Sequence, residues 1–417
     1  MLKSKGRTAR AESAQRQGSG GRRPKAWSRA GVLGVVSVGL IALGAAFSVP
    51  ASAAPVAAAS GAAAASFKIF NPPSPSGVIP FGSPEQLTSI YAASPTDVWA
   101  VGQPAGDQFE HWNGTSWTGQ GIPAGPATAA GNTASVSFIT GTSASNITAV
   151  GTSSVVEPGT DTLESVAFHF NGTAWSQMTI PANVQLGPVL AFSATNLWSV
   201  NDNGDAEQFN GTTWAKTKLP IDTGLPKGSS QLIMSSISGS SPSDIWAAGT
   251  ASTVGVRPAQ AVPVLEHFNG TSWSNVSVPA PTGLRGGGLF DVESISPTDA
   301  YAVATGAILH WNGTAWTALN ATTQTGAAVP GSAVAASSPT DVWIAGGTTL
   351  DNFNGTSWTS VPVPATTGLT PAGQTVEGLD AAAAVGPGTV WFVGNTLTPA
   401  SDTSNSELPY ALGTSNG

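Results

Sequence analysis

Few side chains in this 417-residue sequence could do chemistry, and most of them recur at fixed spacing. Cysteine is absent, which removes thiolate nucleophiles and any disulfide framework. The four histidines, His111, His169, His267 and His310, each precede an aromatic residue and Asn-Gly-Thr. A slot that recurs once per repeat keeps them far apart, whereas zinc needs its ligands within about 2 Å of one ion. They are expected to be polar residues beside a turn. Asp97, Asp244, Asp299 and Asp341 share a Ser-Pro-x-Asp slot and read as turn formers.

The charges that no repeat explains are Asp202, Asp205, Asp222, Lys227, Arg257 and Arg285, all in segments of irregular length. They form the candidate ligand-binding set, a mixed-charge site. Glu157, Asp161, Glu164 and Asp291 belong to segments of the same kind. Asp202-Asn203-Gly204-Asp205 spaces its oxygens as Ca²⁺ ligands are spaced, although it is shorter than an EF-hand loop and Asn-Gly is a turn signal first. No other metal or cofactor is expected. Loop carboxylates roughly 5 to 10 Å apart would suit a glycosidase, but no spacing demonstrates such a pair. There is no catalytic Ser/His/Asp pattern.

The elements that must position these residues are repeats. "SPTDVWAVG" (Ser94 to Gly102) returns at Ser193, Ser241, Ser296 and Ser338, with weaker copies at Ser143 and Gly386. After each of the first six comes a second pattern, such as "HFNGTSW" (His267 to Trp273). The aromatic slot of the first pattern falls at Trp99, Thr148, Trp198, Trp246, Tyr301, Trp343 and Trp391, a period near fifty residues. That length fits four short strands and their turns. In the fourth unit the strands are expected at Met234 to Ser238, "IWAAG", "VLEHFN" and "SWSNVSVP". Asn-Gly is expected as a two-residue hairpin turn. Thirteen of the fourteen Trp occupy repeat slots, which marks them as packing residues and leaves none as a dedicated sugar platform.

The seventh unit has three strands and no Asn-Gly-Thr, while "ASFKIFNPPSP" (Ala65 to Pro75) resembles a lone fourth strand. The fold is therefore expected to be all-β: a seven-bladed β-propeller of four-stranded blades, closed by an N-terminal strand that completes the last blade. The short, uniform turns ("SPTD", "NGT") share one rim. The variable loops that hold the candidate residues share the other.

On these repeats the chain resembles secreted bacterial β-propellers. "NGTSW" is similar to the Gly-x-Thr/Ser-Trp end of the Asp-box repeat of sialidase-like propellers. Kelch and WD-type propellers are looser analogies. The Ser-x-Asp of the Asp box is missing here; Trp112, Phe170, Phe209, Phe268, Trp311 and Phe353 stand two residues before each Gly. The Asp box is structural, so the resemblance implies an architecture and no reaction.

Residues 1–53 combine nine basic residues, an apolar run (Ala30 to Val49) and Ala51-Ser52-Ala53. This is the pattern of a secretory signal peptide cleaved after Ala53, followed by an Ala-rich flexible segment over 54–64 and a single propeller domain over 65–417. The other reading is an anchor that is kept, since the run is long enough to span a bilayer. The expected location is extracellular or cell-wall associated, with no membrane span after cleavage. Beyond the leader, six basic residues face twenty-two acidic ones, so nucleic acid is not an expected partner. The first functional reading is a monomeric, non-catalytic propeller that binds an extracellular polysaccharide or protein through its variable rim. The alternatives are a carbohydrate-active hydrolase or lyase using loop carboxylates, and a cell-surface structural module.

Overall fold

A computed structural model describes residues 67–70, 86–102, 108–129, 132–157, 160–225, 230–255, 260–279, 287–304, 307–319, 332–346, 349–365, 375–397 and 407–414. The expected leader over 1–53 and Ala-rich segment over 54–64 lie outside them. No helix among the described residues is long and apolar enough to cross a membrane.

The chain starts with β1 (Phe67–Phe70) and then builds one antiparallel meander after another. Blade 1 is β2 (Leu87–Ser94), β3 (Asp97–Gly102), β4 (Phe109–Trp112) and β5 (Trp117–Gln120). Blade 2 is β6 (Thr133–Ser143), β7 (Asn146–Glu157), β8 (Thr160–Phe170) and β9 (Trp175–Met178). Blade 3 is β10 (Val189–Ser193), β11 (Asn196–Val200), β12 (Asp205–Phe209) and β13 (Trp214–Lys218). Blade 4 is β14 (Ser230–Ser241), β15 (Asp244–Thr253), β16 (Ala261–Phe268) and β17 (Trp273–Asn275). Blade 5 is β18 (Leu289–Ser296), β19 (Asp299–Ala304), β20 (Ala307–Trp311) and β21 (Trp316–Leu319). Blade 6 is β22 (Ala333–Ser338), β23 (Asp341–Gly346), β24 (Thr349–Phe353) and β25 (Trp358–Pro362). Blade 7 is β26 (Thr375–Gly386), β27 (Thr389–Leu397) and β28 (Glu407–Thr414), completed by β1. Each inner strand touches the next one round the ring, and β26 returns to β2. The fold is a seven-bladed β-propeller, with its closing strand at the expected place.

The repeat motifs lock each blade at one rim. With the strands of a blade lettered A to D in the order given above, Ser94 Oγ in blade 1 accepts the Thr96 amide at 3.2 Å, which forms the A–B turn. Asn113 Oδ1 accepts the amides of Thr115 (2.9 Å) and Ser116 (3.0 Å). The C–D connection is thus a four-residue loop between the paired Trp112 and Trp117, and not the two-residue turn expected from Asn-Gly. The Asn side chain closes the loop from within, which the two-residue form leaves no room for. Gly114 is required on two counts. Its φ is +88°, and a Cβ there would stand 2.8 Å from the Thr96 Cβ of the A–B turn.

The Trp slots hold blade to blade. Trp99 of blade 1 lies against Phe170 (4.8 Å) and Trp175 (5.4 Å) of blade 2. Trp198 meets Phe268 and Trp273 in the same way, and Trp246 meets Trp311 and Trp316. Trp391 of blade 7 closes the circle on Trp112 (5.8 Å) and Trp117 (5.9 Å) of blade 1. In blade 7 the strand-D aromatic comes from the other end of the chain: Phe67 meets Trp343 edge-on at 5.4 Å. Phe70 packs on Trp112 (4.7 Å) and Trp391 (4.9 Å).

Several strands run further than expected. β14 spans Ser230–Ser241, and the presumed loop at 152–165 is largely the ladder of β7 and β8, tied from Thr152↔Ser165 to Glu157↔Thr160. Its Val and Thr residues suit a strand better than a loop. Because β1 supplies a ladder and Phe70 alone makes two aromatic contacts, Phe70→Ala should lower stability by about 2–3 kcal/mol, measured by urea unfolding.

Candidate binding surface

The uniform rim is chemically closed. His111 Nε2 sits 2.8 Å from Asp97 Oδ1, and the imidazole stacks on Trp99 with ring centroids 4.0 Å apart. The arrangement repeats at His267 with Asp244 (2.8 Å) and at His310 with Asp299 (3.1 Å). In blade 2 both partners change, and His169 Nε2 meets Asn146 Oδ1 at 2.9 Å. In blade 6, Asn352 replaces His, and Asp341 Oδ1 accepts from both Asn352 Nδ2 at 3.3 Å and Trp343 Nε1 at 2.9 Å. Asp97, Asp244 and Asp299 therefore do more than form turns: they orient the imidazoles over the interblade aromatics Trp99, Trp246 and Tyr301. Asp244 is buried, which raises its pKa. Hydrogen bonds from His267, Ser240 and Ser294 outweigh that and hold it below the usual range.

The seven inner strands enclose a channel of about 370 Å³. Polar side chains on these strands stitch each blade to the next. Ser89 Oγ accepts the Ile139 amide (3.1 Å), Thr140 Oγ1 that of Ala191 (3.2 Å) and Ser238 Oγ that of Ser294 (3.0 Å). Asp291 makes the same kind of stitch from β18. Its Oδ2 accepts the Val334 amide of blade 6 at 2.9 Å. Its Oδ1 accepts Ser236 Oγ of blade 4 at 2.6 Å. Asp291 was expected in a rim loop, but β18 begins at Leu289 with an irregular register at Phe290, which brings Asp291 into the channel wall. Glu293, two residues on, accepts Ser238 Oγ at 3.1 Å.

Protein surrounds both carboxyls even though they line the channel. Burial pushes Asp291 up to about 6. Burial, reinforced by Asp291, pushes Glu293 up to about 8. Another set of acids was missed by the sequence reading. Glu110, Glu207, Glu266 and Asp351 all directly precede the His/Gln/Asn slot, and all are buried. Burial raises Glu266 to about 7 against one hydrogen bond from Asn275 (2.8 Å). The signal was an acid followed by His, Gln or Asn just ahead of four of the six aromatic-Asn-Gly copies.

The variable rim is open between blades 3 and 4. A cavity of about 340 Å³ there has Leu219, Ile221 and Leu232 among its lining residues, with Asp202 and Lys218 supplying charge. Asp202 Oδ1 accepts the Met234 amide at 2.9 Å and so ties the blade 3 turn to blade 4. Asp205 heads β12, buried, 3.2 Å from Lys218 Nζ and 3.5 Å from Lys216 Nζ. Lys216 also reaches the buried Glu207 at 3.2 Å. Asp205 thus sits in an ion-pair network, and Asp202 gives one oxygen to a backbone amide. Among the described residues no group of three or more acids or histidines is placed to hold a metal. Asp222 is exposed and accepts the Gly224 amide at 3.2 Å. Asp202, Asp205 and Asp222 therefore fall within one sector of the rim. Lys227, Arg257 and Arg285 lie outside the described residues.

No family model matches the chain, and no curated protein does. Solved structures do. YCF48 from Cyanidioschyzon merolae superposes with a TM-score of 0.54 at 15% identity, over 84% of this chain and 99% of that one. A structure described as YCF48 bound to D1 peptide gives 0.52 at 13% identity, over 84% and 97%. The WD40 β-propeller domain of Doa1 gives 0.46 at 10% identity, over 80% and 95%. At these identities the likeness concerns the fold alone.

The raised acids give a definite pH dependence. Glu266, Asp291 and Glu293 bind protons more tightly folded than unfolded, so stability falls as pH rises from about 4.5 through their folded values of about 7, 6 and 8. The melting temperature should drop steadily between pH 5 and pH 8. Glu293→Gln should remove the part of the slope nearest pH 8, as read by calorimetry across that range.

Proposed function

We propose that this chain is a non-catalytic binding propeller, secreted by its leader, that takes a polypeptide partner on its variable rim. The observation that carries the reading is the contrast between the rims. The uniform rim satisfies its own turns with Ser and Asn side chains in blade after blade. The other rim opens the cavity between blades 3 and 4, with apolar walls and a carboxylate within reach. Rigid scaffold with open irregular loops is the usual arrangement for recognition. A propeller of the same fold, YCF48, has been solved with a peptide bound, which is compatible with a polypeptide ligand here.

A carbohydrate-active enzyme is the second reading, and one observation favours it. Asp291 and Glu293 are carboxyls two residues apart in a channel, both with raised pKa. Asp291, however, spends its oxygens on Ser236, Val292 and Val334, which is the work of a ring stitch. The two readings separate in one experiment. The exported protein is incubated with peptide and glycan arrays, and both retention and product release are followed. Retention of peptides without product, weakened by Asp222→Ala and unaffected by Thr271→Ala on the uniform rim, is the expected result. Release of glycan product that Glu293→Gln abolishes would overturn it.

A further inference from the structure

We infer that blade 4 receives an extended, lysine- or arginine-bearing polypeptide segment as an added strand on the outer edge of β14 at Ser230–Leu232, with one basic side chain in the adjoining cavity. This deepens the proposed polypeptide reading and rests on it.

The backbone directions come from two hydrogen bonds. The Thr253 amide donates to the Gln260 carbonyl at 2.8 Å, so Thr253 faces β16. Alternate residues of a strand turn their N–H and C=O groups to opposite sides, so Ala251 and Gly249 also face β16, and Ser252 and Thr250 face β14. Their register partners are Gln231 and Ile233. Ser230, Leu232 and Met234 must then turn their backbone groups away from β15. Met234 shows that they do, because its amide leaves the sheet to reach Asp202 Oδ1 in blade 3. Ser230 and Leu232 have no backbone partner on that side among the described residues. Ser230 and Gln231 are exposed, and Leu232 is half-buried at the cavity wall. This is an open stretch of strand edge beside a side-chain pocket, the two parts that strand addition uses.

Two features select the occupant. Paired N–H and C=O groups on alternate residues repeat at the spacing of another strand's main chain. The surroundings select charge. Asp202, Asp205, Glu207 and Asp222 stand in this sector against Lys216 and Lys218, and both lysines are already held by Asp205. A lysine or arginine stem fits along Leu219, Ile221 and Leu232 and carries its charge toward Asp202.

The test uses the purified full chain and three synthetic nine-residue peptides in an alternating Thr/Val frame, centred on lysine, aspartate or leucine. A fourth peptide is the lysine one with alternate backbone nitrogens methylated. The lysine peptide should bind at least about tenfold more tightly than the other two. Methylation should weaken it by about tenfold or more, as expected for lost main-chain hydrogen bonds. Leu232→Pro should do the same, since it removes an outward N–H and no ladder bond. Asp202→Asn keeps an acceptor for Met234 and should weaken the lysine peptide while leaving the leucine one unchanged. Equal binding of the methylated peptide overturns strand addition whatever happens to the Pro variant, and leaves the polypeptide reading standing. Preference for the leucine or aspartate peptide overturns the basic occupant. Failure of every peptide, in this set and on the wider array, overturns both readings.

Discussion

The ring depends on one contact, the large aromatic that every blade but the second inserts into the next. A four-stranded antiparallel blade is hydrophobic on both faces and cannot stand alone. The first repeat motif places a Trp at one face of the second strand, and the second motif places an aromatic and a Trp on the next blade to receive it. Everything conspicuous in the repeat serves that contact. His stacks on the donor Trp, Asp fixes the His, and the Asn-Gly loop folds back so that its Gly meets the A–B turn. The Trp ring is thereby backed by an imidazole that the Asp holds in place.

Where the relay is broken the structure substitutes something else. Blade 2 has Thr148 in the Trp slot, and its junction with blade 3 is filled by Val150, Ala167, Val184, Leu186 and Val189, two of them from the segment between β9 and β10. Blade 7 lacks the receiving Trp, and Phe67 takes that role against Trp343. The closing strand thus receives the aromatic of blade 6 as well as forming a hydrogen-bonded edge. Along the inner strands, small polar groups also stitch neighbouring blades.

The architecture was legible because its cause is periodic. A slot that recurs seven times in 417 residues shows itself without coordinates, and the missing seventh Asn-Gly-Thr pointed to Phe67–Phe70. The loop form at Asn-Gly was misjudged because the Asn side chain, and not only the Gly backbone, closes it. The site was less legible. Asp202, Asp205 and Asp222 stood out as charges outside any slot, and the fold gathers them in one sector. What Asp205 does there depends on Lys216 and Lys218, which sit across a ladder that sequence spacing does not reveal. Asp291 was misplaced by a few residues of strand boundary, enough to move it from a rim to the channel wall.

A repeat protein leaves little freedom for function, since any residue in a slot already has work to do. The departures from symmetry are therefore where recognition can arise without cost to the ring, and they are unevenly spread. Blade 3 turns from its second to its third strand through a short Asn201–Gly204 loop. Blades 2 and 4 on either side carry their hairpins higher, with Leu163 and Val254 exposed near the tips. A low blade between two high ones makes a saddle on the variable rim. Asp202 lies in it and reaches across to Met234, so the same carboxylate that joins two blades also faces the cavity between them. A ligand at that carboxylate would bear on the blade 3–blade 4 junction, where binding and ring stability share one group.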